Sequence, residues 1–397
     1  MRPRIISTLL SVLSLFLLCA CGTSQLSTTA VQPGPGKGTQ EAGSFRDLSS
    51  IAHLHLPPGF QISMYASGLH DPRFMTTGPN GVLFVAEAGS NTIIALPPGT
   101  SPEHAGTPIV ISKTLNNPTS LVLQDGYLYV SEAASIARLA VGNDLRADPI
   151  ERIITNLPIP EGALYGTHTV LIAPDNQLYV SSSTGCNGCV EQDPHRAAVW
   201  VYQLDGSRGR LFAKGLPNAV GMAVNPWMGQ IWADVNGQGL ISGSPALPEP
   251  VYGLTYQADY GWPRCYAGVI RNPEFSQSPG ACKGVQQPVV TLPAYSMPLG
   301  LAFYPLAETQ FPERYRNSLY VALHGSGNKS LASGDKIVRI PIDCGKMAGR
   351  PEDFLTGWLN SNGTSSGRPM GITFAPDGTL FISDDQAGLI YHVWYRS

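Results

Sequence analysis

The feature that most limits how this chain can fold is a hairpin pattern that recurs six times. Each copy is an apolar strand, a turn rich in Pro, Asp, Asn or Gly, and a second apolar strand ending in a small or acidic residue. The copies span residues 74–85, 121–130, 170–180, 222–233, 301–321 and 372–382. Their second strands end 45, 50, 53, 88 and 61 residues apart, which suits one four-stranded blade per repeat. The sequence therefore predicts an all-β, six-bladed β-propeller.

Two further features bear on this prediction. The 88-residue interval is expected to hold an insertion rather than a concealed seventh blade. Residues 60–65 (FQISMY) precede the first repeat, and they are expected to supply the outer strand of the last blade and so close the ring. A β-sandwich is the alternative, but that fold does not require a hairpin that recurs at this spacing.

Composition agrees with an exported all-β protein. Charged residues make up 13% of the chain, against about 25% in average soluble proteins, and the 43 Gly and 34 Pro supply many turns. The formal net charge is −3 and no basic cluster occurs, which argues against a nucleic-acid partner. Beyond the N-terminal segment no run of 18 apolar residues occurs, so the sequence predicts no membrane span there.

The N-terminal segment has the pattern of an export signal. Arg2 and Arg4 precede a short apolar run over residues 5–18, which is too short to cross a bilayer. Residues 18–21 (LCAC) resemble the lipobox of bacterial lipoproteins, in which Cys21 would be cleaved and diacylated. The alternative is an ordinary secretory signal.

The expected domains are a lipoprotein signal peptide over residues 1–21, a disordered tether over 22–50 and the propeller over 51–397. The tether has almost no large apolar residues, so it cannot bury enough surface to fold. We therefore expect an exported lipoprotein on the extracytoplasmic face of a membrane, at the cell surface or in the periplasm.

Four cysteines are expected to pair in this oxidising compartment. Cys186 and Cys189 are predicted to form a local disulfide. Half of a zinc site is the alternative, but the chain has no second Cys-x-x-Cys that would complete it. Attachment of a c-type haem is excluded, because Val190 stands where that motif requires His. Cys265 and Cys282 flank a Pro- and Gly-rich insertion and are predicted to form a second bridge.

The propeller prediction also indicates where a site would lie. In this fold the segment that leads into each innermost strand lies at the mouth of the central channel, so residues far apart in sequence converge there. Counting back from the turn prolines of four repeats reaches Arg73, Tyr165 with His168, Asn218 and Arg368. These segments are the first candidates for a functional site.

Several motifs resemble the sorbosone-dehydrogenase-like proteins of the glucose/sorbosone dehydrogenase superfamily, and they occur in order through the whole domain. The most specific is residues 182–198 (SSTGCNGCVEQDPHRAA). The others are residues 56–60 (LPPGF), 260–263 (YGWP), 311–316 (FPERYR), 321–326 (VALHGS), 367–369 (GRP) and 383–385 (SDD). The resemblance implies a six-bladed propeller whose active members bind pyrroloquinoline quinone (PQQ) with Ca²⁺ and oxidise a sugar or alcohol C–OH.

The resemblance assigns roles to particular residues. PQQ is a planar tricarboxylate, which Arg side chains suit best, and a His near neutral pH suits the removal of the hydroxyl proton. Arg368 matches a cofactor-binding arginine, Asn218 matches the asparagine beside another functional arginine, and His324 and Lys329 are further cofactor candidates. His168 is the candidate catalytic base. Trp262 and Tyr165 are the candidate substrate contacts, with Tyr266 beside Trp262 as a second ring that would stack on a sugar.

The match is incomplete at four positions. Pro217 replaces an arginine of the family pattern, and Met370 replaces an arginine found in the glucose-oxidising branch. Tyr165 stands where the family has its catalytic His, so His168, three residues later, would need a shifted loop to serve. The acidic stretch usual after the fourth repeat reads GSPA at residues 243–246. The alternative for Arg368 is a structural role, tying a loop to a backbone carbonyl, and for His168 a hydrogen-bonded loop histidine.

Three functions of different classes follow from these observations. The first is a PQQ-dependent sugar or aldose dehydrogenase with a small sugar as substrate and an electron-acceptor protein as a further partner. The second is a non-catalytic surface propeller that binds a sugar or a protein. The third is a metal-dependent lactonase, which would need carboxylate and amide ligands in the segments that start the blades, and these are poor in Asp and Glu.

Overall fold

The computed structural model describes residues 51–159, 168–186, 188–237, 246–275, 280–326, 331 and 333–396. In these residues each predicted hairpin forms the first two strands of one sheet, and the six sheets are the six blades of the predicted propeller. Neighbouring strands within a blade are antiparallel, apart from one short parallel pair. No helix in this part of the chain is long and apolar enough to cross a membrane.

The blades follow one another in the chain, and the first strand of each is the innermost. Blade 1 contains β2 (Pro72–Thr77), β3 (Leu83–Glu87), β4 (Thr92–Leu96) and β5 (Ile109–Ser112). Blade 2 contains β6 (Leu121–Gln124), β7 (Tyr127–Ser131), β8 (Ile136–Ala140) and β9 (Glu151–Ile154). Blade 3 contains β10 (His168–Ile172), β11 (Leu178–Ser182), β12 (Ala198–Tyr202) and β13 (Arg210–Lys214).

The second half of the ring has the same order with more irregular outer strands. Blade 4 contains β14 (Ala219–Val224), β15 (Ile231–Val235), β16 (Glu249–Gly253) and β20 (Val290–Leu292). Blade 5 contains β21 (Pro298–Phe303), β22 (Ser318–Leu323), β23 (Lys336–Asp343), β24 (Lys346–Met347) and β25 (Glu352–Leu355). Blade 6 contains β26 (Pro369–Phe374), β27 (Leu380–Asp384), β28 (Leu389–Tyr395) and β1 (Phe60–Ala66).

The remaining elements are short. The insertion in the long interval contains β17 (Ala258–Asp259), which pairs with β13, and a hairpin of β18 (Cys265–Tyr266) with β19 (Ile270–Arg271). Two 3₁₀ turns (Pro79–Gly81 and Pro273–Phe275) and the helix α1 (Glu313–Arg316) complete the list. In the described residues of the interval, 234–237, 246–275 and 280–321, an insertion is therefore present and no additional blade occurs, as predicted.

The ring closes through the N-terminal strand, as predicted. β1 pairs with β28 of the last blade over most of its length. Phe60 at the start of β1 is 6% exposed, and its ring lies 4.8 Å from the ring of Phe311 and 5.0 Å from that of Phe354. The six innermost strands contact one another in order and then close from β26 back to β2.

The core is divided among the contacts between neighbouring blades. Among the described residues, six apolar clusters lie one between each adjacent pair of sheets, and a small seventh cluster joins three innermost strands. Because a blade packs on both faces, the middle strands can be buried along their whole length, as in β3, β4 and β22. This explains why these strands have continuous apolar runs and not the alternation of a sheet with one wet face.

Both predicted disulfides are present. Cys186 is bonded to Cys189, and Cys265 to Cys282 across a sequence separation of 17. Cys344 is exposed between β23 and β24. The longer bridge joins the β18–β19 hairpin to the chain that leads into β20, so it secures the insertion of blade 4.

The longer bridge is expected to contribute measurably to stability. Replacing Cys265 and Cys282 together by alanine should lower the free energy of unfolding by about 3 kcal/mol, because a loop of this length restricts the unfolded chain. Urea denaturation of the non-reduced protein measures the change, and Cys344→Ala is the control for loss of a cysteine outside both bridges. If the double variant unfolds at the wild-type urea concentration, the bridge does not stabilise the fold.

Candidate active site

The innermost strands bring the predicted segments to one mouth of the channel. β10 begins at His168, β14 begins one residue after Asn218, and β26 begins one residue after Arg368. Side-chain hydroxyls join adjacent blades here: Thr119 Oγ1 donates to the His168 carbonyl at 3.0 Å, and Ser383 Oγ donates to the Arg73 carbonyl at 2.6 Å. The predicted residues therefore lie on a ring of hydrogen-bonded strand ends.

The most highly charged part of this mouth lies where blades 1, 5 and 6 meet. Asp385 follows β27, and its carboxylate accepts from Arg73 Nη1 at 2.7 Å and lies 2.9 Å from His324 Nε2. The Asp385 and Arg73 side chains are 10% and 16% exposed. Burial alone would raise the pKa of Asp385, but His324, Arg73 and Arg368 outweigh it and hold this pKa below its ordinary value.

This ion cluster leaves two polar atoms available. Arg73 Nε and His324 Nδ1 are buried and have no hydrogen-bond partner among the described residues. A buried polar group without a partner costs free energy, so both atoms are suited to a ligand. The cluster is therefore the strongest candidate anion-binding position at the mouth.

Arg368 reaches the same cluster from the start of β26. Its Nε donates to the His324 carbonyl at 3.1 Å, its Nη2 donates to the Gly325 carbonyl, and its Nε lies 4.0 Å from a carboxylate oxygen of Asp335. The structure thus brings together Arg368 and His324, two residues that the sequence singled out separately. It also shows the loop-tying contacts that were the structural alternative for Arg368.

His168 lies on the other side of the mouth, in blade 3. Its imidazole is 2% exposed, with Nδ1 2.8 Å from Ser182 Oγ on the adjacent strand. Nε2 is buried without a partner among the described residues. Burial lowers the pKa of His168 to about 4, so the imidazole is neutral at physiological pH.

Blade 4 contributes Asn218, whose Oδ1 is likewise buried and without a partner in the described part of the chain. The preceding residue, Pro217, accepts the Thr184 N–H through its carbonyl. Met370 is fully buried in a small apolar cluster with Val220 and Leu299, one residue from each of three innermost strands. Where the family pattern has a second arginine, this chain thus has an apolar contact between blades 4, 5 and 6.

The predicted substrate contact Trp262 is mostly buried. It is 5% exposed, belongs to the apolar cluster between blades 3 and 4, and donates from Nε1 to Thr184 Oγ1 at 3.3 Å. Tyr266 packs in the same cluster. Both aromatic rings therefore have a packing role in the described structure.

Three residues singled out by the sequence, Cys21, Tyr165 and Lys329, lie outside the described residues. Conversely, Asp385 had no predicted role, although this residue joins Arg73 to His324. A signal was available, because the second strand of a repeat tends to end in an acidic residue and Asp385 follows such a strand.

The described residues offer little support for a metal site of lactonase type. Within them the single group of three His, Cys, Asp or Glu side chains close enough to share an ion is Cys186, Cys189 and Glu191. The two cysteine sulfurs of this group are bonded to each other in the disulfide, so only the Glu191 carboxylate could bind an ion.

Comparison with known proteins identifies the family. A model described as TrAA12-like matches residues 54–244 and 254–396, so this chain belongs to the TrAA12-like family. The resemblance to the PQQ-dependent dehydrogenase superfamily that the motifs indicated is thereby confirmed.

Two relatives illustrate the range of this similarity. An uncharacterized protein of Borreliella burgdorferi is 27% identical over 362 residues, covering 86% of this chain and 91% of the relative. The pyrroloquinoline quinone-dependent pyranose dehydrogenase of Coprinopsis cinerea is 24% identical over 416 residues, covering 85% of this chain and 54% of the relative. This chain therefore spans about half the length of that enzyme.

Solved structures share the fold. The holo form of the pyranose dehydrogenase PQQ domain from Coprinopsis cinerea has a TM-score of 0.71 at 22% identity, covering 86% of this chain and 97% of that one. The calcium structure of a Trichoderma reesei enzyme of carbohydrate-active family AA12 has a TM-score of 0.70 at 20% identity, covering 86% and 96%.

Proposed function

We propose that this protein is a PQQ-dependent dehydrogenase that oxidises a sugar C–OH at the mouth where the innermost strands begin. The observation that carries the proposal is the ion cluster of Arg73, Asp385, His324 and Arg368 at that mouth, in a chain of the TrAA12-like family. Relatives named as PQQ-dependent pyranose and sugar dehydrogenases support the same class.

The residues at the mouth fit an anionic, planar cofactor. Arg73 Nε–H is a buried donor without a partner in the described part, and Arg368 adds a second guanidinium close by. Guanidinium groups suit carboxylates because they donate in a planar fork. Bound PQQ would supply a quinone that accepts the hydride equivalent from the substrate carbon.

His168 is proposed to take the hydroxyl proton. When Nδ1–H donates to Ser182 Oγ, Nε2 presents a lone pair that has no partner among the described residues. Burial lowers the pKa to about 4, which leaves this nitrogen unprotonated at neutral pH and able to accept a proton. The proton would move from the substrate hydroxyl to Nε2.

Titration of the Ca²⁺-supplemented protein with PQQ tests the proposal. Wild type is expected to show binding heat and a shift of the quinone absorbance, followed by dye reduction with at least one aldose.

Arg368→Ala should weaken PQQ binding by about 2–4 kcal/mol, since it removes a largely buried charge partner. Arg146→Ala is the control, because that side chain is 89% exposed. Wild type that binds no quinone at high-micromolar concentration would contradict the proposal.

A non-catalytic binding propeller is the second candidate. The observation in its favour is the pair of replaced arginines, since Pro217 lies in a backbone contact and Met370 in an apolar cluster. Without these two arginines, fewer positively charged side chains are available to bind the three carboxylates of PQQ. Absence of quinone binding in the same titration, with retained binding of a sugar, would favour this function.

The position of the protein in the cell is also a proposal. We infer from the lipobox-like segment that Cys21 carries the lipid anchor and that residues 22–50 link it to the propeller on the extracytoplasmic face. An electron-acceptor protein would then meet the propeller at that surface.

A further inference from the structure

A groove lies between blades 3 and 4, at the end of the blades opposite the mouth. Its lining includes residues 173–175 and 229–230, in the turns that follow the innermost strands β10 and β14. Since both strands begin at the mouth, these turns lie at the far end of the strands, and the groove is separate from the candidate active site. Its volume is about 610 Å³, which falls within the range of about 300–1,000 Å³ typical of small-molecule sites.

Three aromatic rings in contact line this groove, and they are graded from buried to exposed. Tyr179 is 6% exposed, and its ring lies 5.0 Å from that of Phe212 and nearly perpendicular to it. The Phe212 ring in turn lies 5.9 Å from that of Tyr256, which is 50% exposed. A single exposed tyrosine is ordinary on a protein surface, but this one extends a row of rings within a concave surface. The row gives the groove flat apolar faces against which a ligand ring could stack.

The exposed end of the row is fixed by backbone hydrogen bonds to both blades. The Leu254 N–H donates to the Ile231 carbonyl of blade 4 at 2.7 Å. The Gln257 N–H donates to the Phe212 carbonyl of blade 3 at 2.7 Å. The short segment that carries Tyr256 is therefore held on both sides of the ring, and a groove that is already formed needs little ordering when a ligand binds.

Two polar side chains line the groove beside the rings. The Asp175 carboxylate accepts from the Tyr179 hydroxyl at 2.8 Å, and from the backbone and side-chain amides of Gln177 at 3.2 and 2.9 Å. Gln230 Oε1 accepts from Trp232 Nε1 at 3.1 Å, so its amide N–H groups are the part of that side chain that can donate to a ligand. Among the described residues that line the groove there is no Lys or Arg.

These features select the charge of the ligand. An anion would meet the Asp175 carboxylate with no cationic side chain in the lining to offset it. A cation would find that carboxylate already held by three donors. A neutral ligand with both an apolar face and hydrogen-bonding groups fits best, because aromatic faces supply contact area and a few polar groups fix the orientation. A sugar ring has this character, since its C–H groups face one way and its hydroxyls lie around the rim.

We propose that the groove between blades 3 and 4 binds a neutral glycan, with Tyr256 and Phe212 against the sugar rings and Gln230 and Asp175 at the hydroxyls. Because the groove and the mouth lie at opposite ends of the blades, a glycan bound here leaves the mouth accessible. The groove would thus hold the propeller on a glycan. This inference goes beyond the proposed function, and it holds whether or not the mouth binds a quinone.

Isothermal titration of the full chain with neutral hexasaccharides tests the proposal. The probes are cellohexaose, maltohexaose and the hexamer of N-acetylglucosamine, without added PQQ. Wild type should bind at least one of them in the millimolar range. Tyr256→Ala should weaken that binding by about tenfold, at the upper end of what one aromatic contact contributes. Tyr256→Trp keeps a ring at the same place and should retain the binding.

Tyr127→Ala serves as the control, because Tyr127 on β7 is also an exposed tyrosine and lies outside the groove. This variant and His168→Ala, at the mouth, should both bind the glycan as wild type does. The proposal is overturned if no hexasaccharide binds at millimolar concentration, or if Tyr256→Ala binds as tightly as wild type. Loss of binding in His168→Ala alone would place the sugar at the mouth and would also overturn it. Titration of the same samples with PQQ reports separately on the proposed function.

Discussion

His168→Ala is expected to lower turnover with PQQ and an aldose by about 10²–10⁴-fold, which is the usual contribution of a positioned general base. Quinone affinity should change little, because His168 lies in blade 3 and the ion cluster lies between blades 1, 5 and 6. Steady-state dye reduction gives turnover, and quinone titration gives affinity. Loss of affinity with unchanged turnover at saturating quinone would assign His168 to cofactor binding.

His392→Ala is the matched control for the cost of removing a buried imidazole. Burial lowers the pKa of His392 to about 4, as it does for His168. The ring of His392 stacks on Phe381 in blade 6, with centroids 4.7 Å apart, and takes no part in the ion cluster. If both variants lose turnover equally, the effect is structural.

The pH profile adds a second criterion for the base. Since the pKa of His168 is about 4 in the folded protein, Nε2 stays available down to that pH, and turnover limited by this base should fall only as the pH drops through about 4. A loss of turnover near pH 6.5, the ordinary value for histidine, would point to a different and more exposed imidazole.

The fold was predictable because the signal repeats. Each blade begins with two apolar strands joined by a turn, and this requirement appears six times as an apolar run, a turn and a second apolar run, with a long insertion in the turn of blade 5. The closing strand at residues 60–65 could be predicted for the same reason, since a ring of complete blades leaves one apolar segment to pair with β28.

The site was predictable in position but not in its contacts. Strand order places Arg73, His168, Asn218 and Arg368 at one mouth, and counting from the turns found all four. The ion pair of Asp385 with Arg73 joins residues 312 apart, and no local pattern encodes such a contact.

Asp385→Ala is expected to have the second large effect, on stability and quinone binding together. Asp385 is the shared partner of Arg73 and His324, and its removal leaves the largely buried Arg73 guanidinium with only the longer, 3.5 Å contact to the more exposed Asp71 among the described residues. Breaking such a buried pair by deleting one partner costs about 3–5 kcal/mol. Urea denaturation should show this loss at pH 7, and PQQ affinity should fall because Arg73 is no longer held in place.

Asp353→Ala supplies the comparison. Asp353 pairs with Lys336 on the surface, where the two side chains are 56% and 28% exposed, and a pair of this kind contributes about 0–1 kcal/mol. The pH dependence gives a further check, because the folded pKa of Asp385 lies below its ordinary value. The stability that Asp385 contributes is therefore complete above pH ~4 and lost as the pH falls through the folded pKa. The difference between wild type and Asp385→Ala should shrink in that acid range, and a difference independent of pH would show that the carboxylate charge is not its source.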